Sequence, residues 1–77
     1  MKYICNILRN GRVIEKGIRV NLRLSGRRWG GELELPKNTA LYLGSYELRL
    51  SDGRVGKIAI NVIDGDTAKF DGDGKLK

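Results

Sequence analysis

The side chains able to do chemistry are few and poorly arranged for catalysis. The chain has no histidine and a single cysteine, Cys5, so acid-base or nucleophilic work would fall to carboxylates, lysine, tyrosine or that thiol. Glu32 and Glu34 lie two apart in an alternating segment, hence on one face, the spacing of a carboxylate pair. Cys5 sits in the apolar run Tyr3-Ile4-Cys5-Asn6-Ile7-Leu8 with no imidazole to activate it, and it reads as a small core residue. The sequence predicts a protein that is not an enzyme.

Metal and phosphate motifs fail on their context. Asp71-Gly72-Asp73-Gly74 opens like a calcium loop and Asp64-Gly65-Asp66 precedes it, but that pattern needs a closing glutamate, and none follows Glu47. Zinc sites built from cysteine and histidine are excluded by the counts. Ser25-Gly26-Arg27-Arg28-Trp29-Gly30-Gly31 combines glycine with cations, yet it lacks the Gly-Lys-Ser/Thr ending of a phosphate loop and runs into a strand. No metal and no cofactor are expected.

Charge is the remaining signal. Formal net charge is +6, and its placement is uneven: residues 1–28 hold eight Lys or Arg against Glu15 alone, whereas residues 29–77 hold seven against eight acids. Such an excess favours anionic partners before it specifies any of them. The candidate binding set is Lys2, Arg27, Arg28 and Arg54 with Trp29 beside them, provided that the fold brings their segments to one rim. The competing expectation places Trp29 in the core, on the face of Leu33 and Leu35, and leaves the arginines as solvated turn residues.

The elements that must position these residues read as strands. From Ser45 to Ile63, apolar and polar residues alternate on both sides of Asp52-Gly53, the period of strands with one buried face. A two-residue turn would put Lys57 opposite Leu48 on the apolar face; a three-residue loop, Ser51-Asp52-Gly53, pairs Leu48 with Gly56, Glu47 with Lys57 and Tyr46 with Ile58. The second register is predicted, with Tyr46, Leu48, Leu50, Ile58, Ile60 and Val62 facing the core.

Upstream, Asn10-Gly11 marks a tight hairpin after a first strand from Tyr3 to Leu8, and Gly17 marks a bulge or bend in the return strand. Ile18, Val20, Leu22 and Leu24 share a face and meet Leu35, Leu33 and Trp29 across the next connection. Arg19 and Arg23 then face Glu34 and Glu32, which assigns these arginines to cross-strand pairing rather than to a ligand. Pro36 ends the third strand. Ala40 to Gly44 fits either a short bent strand or a helical turn. Thr67 to Phe70 returns so that Ala68 meets Val62 and Phe70 meets Ile60, and residues 71–77 carry too little apolar content for full order.

The fold class is all-β: a single small domain over 1–77, an antiparallel meander of five or six strands coiled into a barrel or a two-sheet roll. An incompletely closed sheet would leave edge strands, so a homo-oligomer or a protein partner is expected. The apolar N-terminal run is too short to span a bilayer, and the lone thiol suits a reducing compartment, so a cytoplasmic protein without a membrane partner is expected. The functional expectation is a non-catalytic binding or assembly module. The alternative is a small barrel binding single-stranded nucleic acid through its basic rim, without the aromatic signatures of RRM or cold-shock domains.

Overall fold

Alternating apolar residues become six antiparallel strands in the computed structural model, which describes residues 1–77. They are β1 (Lys2–Arg9), β2 (Arg12–Ser25), β3 (Arg28–Glu34), β4 (Gly44–Leu50), β5 (Val55–Asp64) and β6 (Thr67–Asp73). The sheet closes on itself in the order β1-β2-β3-β6-β5-β4, with β4 returning to β1. The chain is thus two three-stranded meanders, joined by β1 against β4 and by β3 against β6, and no strand is left with a free edge. No helix is long and apolar enough to cross a membrane.

Local chemistry sets the registers. Asn10 and Gly11 both adopt positive φ, 52° and 78°, which is the requirement of the tight turn that joins β1 to β2. Gly17, also at positive φ, donates its N–H to Asn6 Oδ1 at 3.1 Å beside the register shift between β1 and β2, so the expected bulge is present. In the β4–β5 hairpin Leu48 faces Gly56, Glu47 faces Lys57 and Tyr46 faces Ile58, as the three-residue loop requires.

The apolar faces meet inside the barrel. Ile7, Ile18, Leu22, Leu33, Leu48, Ile58 and Phe70 are almost fully excluded from solvent, and no polar side chain is buried with them. Two residues expected on that face lie outside. Val62 is 46 % exposed because a bulge between Ile60 and Val62 shifts the β5–β6 register, so that Ala68 meets Ile63 while Phe70 still meets Ile60. Leu24 is 49 % exposed because β2 outruns β1, whose pairing ends at Lys2 and Asn21.

The segment between β3 and β4 is neither strand nor helical turn until Gly44. It starts and ends at the same end of the barrel, where Leu41 is buried and the Tyr46 hydroxyl ties it down by donating to the Tyr42 carbonyl at 3.0 Å. The C-terminal residues make their own contacts with the barrel, and β6 runs on to Asp73. Lys77 exchanges two backbone hydrogen bonds with Val55, of 2.7 and 2.9 Å, and Leu76 packs on the core cluster.

Candidate anion-binding groove at one end of the barrel

Strand directions sort the loops. The turns at Asn10-Gly11 and Gly65-Asp66 and the β3–β4 connection share one end; the loops at Gly26-Arg27 and Ser51 to Arg54, the N-terminus and the C-terminal residues share the other. Lys2, Arg27, Arg28, Trp29 and Arg54 therefore do fall at one end, because the β3–β4 connection does not cross the sheet. Within that end they are divided between different surroundings.

Arg27 and Arg28 line an open groove of about 920 Å³, a size typical of clefts that hold ligands. Lys75 and Lys77 line it as well, and no carboxylate side chain contributes to it. All four cations are exposed. The apolar part of the lining comes from Leu24, Leu76 and Trp29, and Gly26, Gly72 and Gly74 complete it.

Trp29 is the base of this groove and not a free aromatic surface. It is 7 % exposed, stands edge-on to Phe70 with ring centroids 6.2 Å apart, and donates its indole N–H to the Gly74 carbonyl at 2.9 Å. It closes the core at this end, as the competing expectation for this residue had it, and still contributes to the lining of the groove. The same hydrogen bond holds Gly74 in place, and with it the lysines that follow.

Arg54 is engaged elsewhere. Its Nε donates to Asp52 Oδ2 at 2.9 Å, its backbone N–H donates to Asp52 Oδ1 at 3.0 Å, and its guanidinium lies 5.2 Å from the centre of the Tyr3 ring. The backbone bond first, and the guanidinium after it, hold the Asp52 carboxyl below the ordinary carboxylate range. Arg54 is thus a turn residue with its charge largely matched. Lys2 lies in a separate hollow with Tyr3, Ile4, Arg19 and Ser51. Arg19 faces Glu34 in register without an ion pair, whereas Arg23 approaches Glu32 at 3.9 Å on the exposed face.

Residues 75–77 are the part of the groove that sequence reasoning missed. The signal was present in the alternation Lys75-Leu76-Lys77, a single period of a strand with one buried side, but too short to stand out before its partner at Val55 was known. Cys5 is 1 % exposed, and burial pushes its thiol up to about 12, which leaves it protonated and inert at neutral pH. No cluster of three or more metal-ligating side chains is present.

The class these features define is a small closed six-stranded barrel with a cationic groove at one end. In comparisons with known proteins, the chain matches no family model, no curated protein and no solved structure.

Proposed function

We propose that this protein is a non-catalytic binding module that captures an extended polyanion in the groove between Arg27-Arg28 and Lys75-Lys77. The observation that carries this reading is the lining itself: four exposed cations and no carboxylate side chain, whereas the next two hollows, one beside Arg9 and Lys57 and one that Lys75 and Lys77 also border, both include Glu47. Like charges gathered in one groove repel one another, and a bound polyanion removes that cost while releasing its own counterions. Self-association loses its original motive, since closure of the barrel leaves no strand edge to cover. A cytoplasmic setting accords with a lone cysteine kept as a buried thiol.

Titration of a labelled single-stranded oligonucleotide over a range of salt concentrations tests the reading. Replacing Arg27 and Arg28 with alanine should reduce the slope of log affinity against log salt by about 1.4, roughly 0.7 for each phosphate that is no longer neutralised. The same change at Arg12 and Lys16, exposed on the β2 segment nearer the opposite end, should leave the slope unaltered. Equal effects from both pairs would reduce the groove to diffuse attraction by a basic protein.

A further inference from the structure

We infer that the polyanion is single-stranded nucleic acid, with phosphates against the four cations and bases against Leu24, Leu76 and the rim of Trp29; this rests on the polyanion reading above. The groove has two chemistries in one place. Its lining combines four cations with three apolar side chains, among them Leu24, half exposed near the end of β2. A simple phosphate chain has no apolar surface of its own, so it would either leave the aliphatic lining in water or strip water from its phosphates to cover it. A nucleic-acid strand carries an anion and a flat, largely apolar ring in every residue, so the same repeating unit meets both surfaces. The rings must be unpaired to reach the apolar side chains, which selects single strands over duplex.

The mode differs from the common one. Single-strand binders usually stack bases on exposed aromatic rings, but here the indole face is covered and its N–H is taken by Gly74. Bases rest on aliphatic side chains, which receive every base alike. Little sequence preference is expected. An acidic peptide would have to alternate charges and apolar side chains in register with the groove, and a lipid surface would need the apolar residues to project as a patch, whereas of the three here Trp29 is buried, Leu76 half-buried and Leu24 alone exposed.

The test measures binding of four probes to the intact protein at one salt concentration: oligothymidylate, an abasic deoxyribose-phosphate chain of the same length, a duplex with the same number of phosphates, and phosphatidylserine vesicles. Oligothymidylate is expected to bind about tenfold more tightly than the abasic chain or the duplex, which corresponds to about 1.4 kcal/mol. Leu24→Ser should remove most of that difference, by weakening oligothymidylate binding more than abasic-chain binding; its exposure makes the variant safe for folding, and a thermal melt verifies this. Equal binding of oligothymidylate and abasic chain, still dependent on Arg27 and Arg28, would overturn the nucleic-acid assignment while the polyanion reading stands. Binding of none of the probes would overturn both. Tighter binding of duplex or of vesicles, abolished in Leu24→Ser, would replace the single strand by that partner.

Discussion

The ring of Trp29 occupies the space in which a side chain at Gly72 would stand. A Cβ built on Gly72 falls onto the indole itself, and one built on Gly56 comes within 2.6 Å of the same ring at Cζ2. Two strands, β5 and β6, therefore leave out their side chains so that a residue of β3 can close the barrel. Closing this end and holding Gly74 are the same act, since the indole N–H reaches the Gly74 carbonyl from that seat.

Gly72→Ala should therefore destabilise the fold by about 1–3 kcal/mol, the usual cost of overpacking a filled site. Trp29→Phe frees room there, so the alanine should cost clearly less in that background. Denaturant melts of the four proteins in the cycle measure the coupling. Strict additivity would mean that the ring does not rest on Gly72.

Leu48→Asp should abolish stable folding, because it buries an unpaired charge at a site with no solvent exposure. Arg49→Asp, on the outward face of the same strand, should shift the transition by no more than about 0.5 kcal/mol. Circular dichroism melts decide this, and similar losses for the two variants would reverse the assignment of faces.

Cys5 sets an alkaline limit. Its thiol is pushed up to about 12 in the fold, above its value of roughly 8.5 in an unfolded chain, so its contribution is intact below the unfolded value and is lost as pH rises towards the folded one. Within that window the wild type should lose up to about 1.4 kcal/mol per pH unit beyond a Cys5→Val variant. Melts from pH 8 upward, in steps of about one unit, should show the two curves diverging. Parallel curves would show that the thiol ionises without unfolding.

Leu76→Ser should release residues 75–77 from the barrel at a stability cost of roughly 1 kcal/mol, since Leu76 is only half buried. Two of the four groove cations leave with it. Oligonucleotide affinity should therefore fall, with a salt slope smaller by about 1.4. An unchanged slope would remove Lys75 and Lys77 from the site.

Much of this barrel was determined locally. The alternation around Asp52-Gly53 and the conflict between Leu48 and Lys57 left one acceptable register, and the closed structure has it. Asn10-Gly11 and Gly17 likewise carried their turn and their bulge in their own backbone preferences. Those features depend on neighbours a few residues apart, and period-two patterning is enough to reveal them. Only the tertiary structure decided the rest. Strand order is such a case: β3 meets β6 and β1 meets β4 because closing the sheet satisfies both remaining edges at once, a condition on the whole chain that no single segment contains. Val62 and Leu24 lie outside through a bulge and an overhang that depend on the partner strand's length and register. The groove follows the same rule. Arg27 and Arg28 were visible as a basic loop, but Lys75 and Lys77 join them only because Val55, Trp29 and the core beneath Leu76 offer the last residues hydrogen bonds and an apolar seat.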